Sequence, residues 1–393
     1  EVDGLGGTGA YTIRIDTAPD NYFLYYPEGF ANSAIREYIA IGNENNFDVT
    51  YTVTLRYEDS GIPDRQFTRV IPAHSRGGET ISDGTANPPS GVVFNKPYTI
   101  IVESNGFLGA NISHYDFGNT LGESFTSRTS TTWSFSEGQK LHGAVNDFLI
   151  YYNPNPTSVR VTFTAYLTDP LTHQVTTTSI AQVVGGNRRS GWNIDDTPTL
   201  PVGTFAFTVT SAPVNANDPH IGIVAALSHY DLASSSGYAV LGDPDGGATA
   251  GVIPGLVTAA SASPLVTLFN PTGTVATVGL VGRYINSGLP DLIKNVTLQP
   301  GESLSLDRTA LGLVANQTMG LRYDSNTKIS VLAATIQSGD SDATQASTEA
   351  GTSFFFGDAF INRLRAGTLY FENMYFYNPD TVALPITLGF QFS

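Results

Sequence analysis

"LIYYNPNPTSVRVTFTAYL", residues 149–167, decides the fold, because the chain says it four times. Three other segments align with it on an Asn, without a gap. They are "IAIGNENNFDVTYTVTLRY" around Asn43, "VTLFNPTGTVATVGLVGRY" around Asn270 and "MYFYNPDTVALPITLGFQF" around Asn378, against Asn153 in the quoted copy. The four asparagines are 110, 117 and 108 residues apart. Counted from the Asn, positions +6, +8, +10 and +12 are apolar or small. They are Val49, Tyr51, Val53 and Leu55; Val159, Val161, Phe163 and Ala165; Ala276, Val278, Leu280 and Gly282; and Leu384, Ile386, Leu388 and Phe390. In the first two copies the residues between them are mostly Thr, with Arg56 and Arg160. A period of two over this length is the pattern of a half-buried strand. Asn-Pro, present in all copies but the first, is expected to fix the preceding turn, since proline locks φ and asparagine tolerates turn geometry.

The rest of each copy recurs as well. "IPAHSRGGETI" (71–81), "VVGGNRRSGWNI" (183–194) and "LQPGESLSL" (298–306) fill one slot, and "YTIIVES" (98–104), "FAFTVTS" (205–211) and "MGLRYDS" (319–325) fill the next. "NISHYD" (111–116) and "ALSHYD" (226–231) match, and the third copy has drifted to "TIQSGD" (335–340). Each copy opens with an aromatic strand and an acidic-Gly turn, as in "FLYYPEG" (23–29) and "TTWSFSEG" (131–138), with weaker echoes in "LGDPDGG" (241–247) and "SFFFGDA" (353–359). Seven short strands with regular turn signals predict an all-β chain of tandem antiparallel β-sandwiches, immunoglobulin-like in architecture. The expected division is an N-terminal strand or arm (1–21), repeats at 22–127, 128–239 and 240–351, and a partial fourth repeat at 352–393. The period is too long for one layer of a solenoid.

The order "TTW-x-F-x-EG", an apolar strand ending in "NP", alternating strands, then segments of the "VPAxS" and "SxxP" kind resembles the tandem repeats of bacterial cell-surface proteins. The resemblance spans most of residues 22–393 and is clearest over 131–231; the third copy lacks the Trp and the Glu-Gly. It implies a long, secreted, multi-module chain of structural or adhesive role. Its motifs carry a fold and a location, and no chemistry.

Composition points the same way. The chain is 41% hydrophobic and only 14% charged, against a usual charged share of about 25%. Its net charge is −16, with Lys only at 96, 140, 294 and 328. Such a surface repels phosphate backbones, so nucleic acid is excluded as an expected partner, and anionic membrane surfaces are disfavoured. No apolar run approaches the roughly 20 residues of a membrane span. Cysteine is absent, which removes disulfides, thiolate-held zinc and thiol catalysis together. A cysteine-free, acidic chain rich in Gly, Thr and Asn fits a cell exterior. Glu1 is not an initiator Met, so a processed or trimmed chain is expected.

Candidates for chemistry are few. His114 and His229 stand in the repeated "SHYD"; each His–Asp pair has the makings of a metal or acid–base site, but the expected reading is a strand end packed at a junction, with Asp116 and Asp231 serving a turn. "GESFT" (122–126) and "GESLS" (301–305) lack the second Gly and the helix of a nucleophile elbow. No glycosidase-like carboxylate pair and no phosphate-cradling Gly loop stand out. Calcium is the one cofactor with candidate ligands, Asp243 and Asp245 in "DPDGG" and Asp340 and Asp342 in "SGDSDA", although neither run supplies a third carboxylate. Trp192 in "RRSGWNI" is the candidate loop aromatic for a ligand. Asn111, Asn295 and Asn316 open sequons, so surface glycans are candidate partners.

The expected function is therefore not enzymatic: an extracellular structural protein, a subunit of a surface filament or layer. An adhesin or carbohydrate-binding surface protein is the alternative. A viral capsid or spike protein is a further one, without the basic arm such subunits often carry. The fourth copy begins and then stops, so Leu384, Ile386, Leu388, Phe390 and Phe392 are expected to line an incomplete sandwich. "GAYTIRID" (9–16) stands like a final strand whose own repeat is missing. Tyr11, Ile13 and Ile15 of one copy are thus expected to complete the fourth repeat of the next, and the chain to self-associate head to tail by strand addition.

Overall fold

The alternation after the first three Asn residues becomes strands with one face sealed. In the computed structural model, which describes residues 21–259, 262–286, 288–337, 340–348, 351, 354, 374–379 and 382–390, Val159, Val161, Phe163 and Ala165 are wholly buried. So are Val49, Val53 and Leu55, and Ala276, Val278 and Leu280. Thr50, Arg160 and Thr277 on the opposite face are exposed.

The described strands form three pairs of antiparallel sheets. The first pair takes β1 (Tyr22–Tyr26), β2 (Arg36–Asn43), β3 (Val49–Tyr57), β4 (Arg65–Ile71), β5 (Ser75–Asp83), β6 (Tyr98–Ser104), β7 (Gly109–Asp116) and β8 (Asn119–Ser124). They are ordered β1-β6-β3-β4 and β5-β2-β7-β8. The second takes β9 (Thr132–Lys140), β10 (Val145–Asn153), β11 (Val159–Thr168), β12 (Val175–Val184), β13 (Arg188–Asn193), β14 (Gly203–Pro213), β15 (Val224–Asp231), β16 (Ser236–Leu241) and the two-residue β17 (Asp243–Pro244). Its orders are β12-β11-β14-β9-β17 and β13-β10-β15-β16. The third is built from β18 (Ala248–Val257), β19 (Ser263–Phe269), β20 (Ala276–Tyr284), β21 (Leu292–Leu298), β22 (Ser303–Asp307), the short helix α1 (Arg308–Leu311), β23 (Thr318–Gln337) and β24 (Asp340–Gln345). The long β23 serves both of its sheets: its first half pairs with β18 and β20, its second with β19 and β24.

Each pair closes on its own apolar cluster. Val53, Tyr57 and Tyr98 belong to the first, Val161, Phe163 and Trp133 to the second, and Val278, Leu280 and Val331 to the third. Both sheets of a pair contribute to each cluster, which is the packing of a β-sandwich. The cores are not fully insulated, since Leu332 and Ala334 of β23 join the second cluster.

Three features differ from the sequence expectation. The strand order departs from an immunoglobulin domain, where the third, sixth and seventh strands share a sheet; here β7 leaves β3 and β6 and joins β2. The expected boundary after residue 239 runs through β16, and "LGDPDGG" does not open the third sheet pair: Asp243 and Pro244 pair with β9 of the second. The opening strand of the third pair is β18, where Pro254-Gly255 stands in the Glu-Gly place. Residues 374–379 and 382–390, expected as fourth-copy strands, join no sheet among the described residues, and Leu384, Ile386, Leu388 and Phe390 are exposed. An alternating pattern alone does not make a ladder, which also needs a paired strand. Tyr11, Ile13, Ile15 and Phe392 lie outside the described residues.

Candidate functional site: the junctions between sheet pairs

The repeated Asn is a latch. Asn153 Nδ2 donates to the carbonyls of Thr157 and Gly185, both at 2.9 Å, and its Oδ1 accepts from the Asn155 amide at 3.0 Å. Asn43 does the same with Phe47, Ile71, Pro72 and Asn45, and Asn270 with Thr274, Leu298, Gln299 and Thr272. Asn378 makes the local bond of the pattern, donating to Val382 O at 2.7 Å. Buried carbonyls need donors, and one amide supplies them to two loops at once. The proline expected to fix this turn is not what closes it, because Asn43-Glu44 makes the same bonds.

A second recurrent device sits on the same strands. Six residues before the Asn, Glu37 in β2 lies 3.1 Å from His114 of β7, and Asp147 in β10 lies 2.7 Å from His229 of β15. Both histidines are buried. Burial alone would lower their pKa; the carboxylates override it, raising His114 to about 10 and His229 above its ordinary value. In the third sheet pair the ladder sets Pro264 opposite Thr335, so carboxylate and histidine are lost together. Asp116 and Asp231 cap the turns that follow, accepting from Phe117 N and from Ala233 and Ser234 N. Each His–carboxylate contact is a buried ion pair between neighbouring strands of one sheet.

The Glu-Gly turns face outward from their own pair onto the next. Glu28 accepts from Ser228 of the second pair, and burial raises its pKa. Glu137 accepts from Thr267 Oγ1 of the third pair at 3.0 Å. Arg189 of β13, itself buried, reaches back to the carbonyls of Gly29 and Tyr98 at 3.3 and 3.4 Å and lies 3.5 Å from Glu58.

One contact then repeats in register. Arg56, thirteen residues after Asn43, donates to Tyr152 Oη at 3.3 Å and Asn187 Oδ1 at 3.4 Å. Tyr166, thirteen after Asn153, has its ring 5.2 Å from that of Phe269 and lies against Gly301. Arg283, thirteen after Asn270, lines a hollow of about 280 Å³ with Pro254, Gly320, Tyr375 and Tyr377. Tyr152, Phe269 and Tyr377 each immediately precede the Asn of their copy. Asn187 and Gly301 share one slot and both take positive φ, 53° and 76°. A Cβ on Gly301 would stand 2.9 Å from the Tyr166 ring, so glycine is favoured here by space, whereas Asn187 shows that the positive φ alone does not demand it.

Where the three sheet pairs meet, a cleft of about 650 Å³ is lined by Glu123, Arg128, Asp243, Asp245, Lys328 and Gln345. Glu123 accepts from Leu241 N at 3.0 Å, and Asp243 from Val331 N at 3.3 Å, so each carboxyl ties one sheet pair to the next. The Glu123 residue is only partly covered, yet its carboxyl end is enclosed; burial pushes both groups up to about 7. Asp245 is paired with Arg128 at 2.8 Å and accepts from Ser130 at 2.8 Å.

The candidate residues are thus dispersed. Asp243 and Asp245 are spoken for by protein partners, Asp340 and Asp342 lie on β24, and no group of three or more His, Asp or Glu suited to a metal ion occurs among the described residues. Trp192 is in strand β13 rather than a loop; its ring sits 5.2 Å from Tyr151 and 5.9 Å from Phe163, against the second core. Missed from the sequence were Glu37 and Asp147, whose signal was a carboxylate six before the Asn wherever "SHYD" survives.

No family model and no curated protein matches the chain. Six solved chains do, among them a Thermotoga maritima protein described as "Crystal Structure of Thermotoga maritima 1070". It is 15% identical with a TM-score of 0.24, over 27% of this chain and 98% of that one, and a likeness at that level carries no argument.

Proposed function

We propose that this chain is an extracellular structural protein, a tandem array of β-sandwich units spanning residues 22–126, 130–244 and 248–347. What supports the reading is the recurrent junction: Arg56 on Tyr152, Tyr166 on Phe269, and Arg283 beside Tyr377. Independent modules on flexible linkers do not need buried carboxylates such as Glu28 and Glu137 held by the next module's hydroxyls. A part that must keep its geometry over distance does. The bacterial cell-surface resemblance and the acidic, cysteine-free composition support the location.

The array is proposed to self-associate into a filament or layer. Leu384, Ile386, Leu388 and Phe390, each 50–60% exposed, offer alternate apolar side chains to an added strand, and the segment around Tyr11, Ile13 and Ile15 of another copy is the proposed donor. Small-angle scattering and electron microscopy of the full chain test both halves. The expected result is one rigid particle form, with end-to-end assembly lost on deletion of residues 1–17. Particles whose sheet pairs bend freely would overturn the structural reading, and filaments that survive the deletion would overturn the donor strand.

A further inference from the structure

An unpaired sheet edge is a template for another strand, and proteins guard such edges with charge, bulges or cover. Most described edges here are guarded. β4 carries Arg65 and Arg69, and β21 carries Lys294. β5 carries Arg76 and Glu79 and meets a register shift at Glu37/Tyr38. β13 is covered through Arg189, and β22 through the Thr168 hydroxyl, which accepts from Ser303 N at 3.0 Å. β16 packs between β8 and β24.

β12 has none of these guards. Val175–Val184 reads VTTTSIAQVV, without a charge, a Pro or a Gly. It pairs with β11 from Val159↔Val184 to Thr168↔Val175 with no register shift, and among the described residues nothing pairs with its outer edge. β4 and β21 hold the same place beside β3 and β20. The missing guard is therefore a property of this strand and not of its position. Thr177, Ser179, Ala181 and Val183 are exposed on its solvent face.

We propose that β12 is a lateral self-association edge that pairs antiparallel with β12 of a second copy. Two chains of net charge −16 repel over most of their surfaces. β12 lets them meet along ten residues without placing a charge opposite a charge. Thr and Val suit a ladder, and Thr hydroxyls pair across strands. The same edge on both partners gives a two-fold contact that closes at two copies. The edge lies on the flank of the second sheet pair, so the pairing does not depend on end-to-end assembly and leaves it possible.

The absence of cysteine makes the test direct. Sedimentation of the full chain should show a concentration-dependent dimer. Thr177→Lys with Ala181→Lys should weaken it at least about tenfold, roughly 1.4 kcal/mol, without moving the thermal midpoint. Ser179→Cys should oxidise to a covalent dimer, and Thr297→Cys, equally exposed on β21, should not at the same concentration. A monomeric wild-type chain, a lysine variant that associates unchanged, or equal crosslinking at the two cysteine positions would each overturn the proposal. Should the lysine variant fail to fold, the cysteine pair decides. End-to-end filaments that persist in the lysine variant would separate this edge from the donor strand.

Discussion

At the scale of the residue, the repeated Asn and the proline beside it have separable roles. Asn153→Ala strips donors from the half-buried Thr157 and the exposed Gly185 and the acceptor from the buried Asn155 N. The orphaned Asn155 amide should dominate the loss, about 1–3 kcal/mol in denaturant unfolding. Pro154→Ala should cost under about 1 kcal/mol, through unfolded-state entropy alone. Equal losses would mean that proline, not the amide, closes the turn. The position of the Asn was plain in the sequence because it recurs. Its bonds were not, since Gly185 is 32 residues away and spacing says nothing about which loop returns.

Strand register was the most legible level, because a period of two is local and any slip would turn Thr inward. Phe163 is wholly buried beside Phe205, Phe207 and Trp192, whereas Thr162 faces outward. Phe163→Ala should destabilise the second sheet pair by about 3–5 kcal/mol, and Thr162→Ala should change thermal unfolding little. Two similar losses would place the register wrongly. The sheet to which each strand belongs was far less legible. β7 pairs with β2 across 67 to 79 residues, from Gly42↔Gly109 to Arg36↔Tyr115, and nothing in either strand names its partner. Trp192 read as a loop residue because "RRSGWNI" has Gly and polar neighbours, yet pairing of β13 with β10 turns it onto Tyr151.

For the whole molecule, the junctions set how stability follows pH. Glu123 and Asp243, raised to about 7 by burial, bind more protons folded than unfolded. Their contribution is full below the unfolded values near 4 and is lost as pH rises to about 7. Arg128, Lys328, Asp245 and Asp342 surround them, and the two cations do not offset the burial. His114, held at about 10 by Asp116 and Glu37 against the effect of burial, contributes below its unfolded value near 6.5 and loses that contribution as pH climbs to about 10. Both signs agree, so the melting temperature should fall between pH 4.5 and 10. Glu123→Gln with Asp243→Asn should flatten the lower part of the calorimetric profile, and His114→Gln the upper. A wild-type melting temperature that rises with pH would contradict the assignment. The Glu123 and Asp243 contacts were not readable beforehand, because each joins residues of different sheet pairs, whereas His114 and Glu37 belong to one copy.

The connecting segments carry a mechanical consequence. Tyr25 pairs with Thr126, Trp133 and Ser134 with Pro244 and Asp243, and Val252 with Ser347. The chain leaving each sheet pair thus clips that pair's first strand before moving on. A clip of one or two residues lies in series with ladders as long as the ten pairs between β11 and β12. Under tension the clips are expected to open before the long ladders do, while the sandwiches stay closed. Stretching the full chain should then show small, reversible extensions, well short of the length of an unfolded sheet pair.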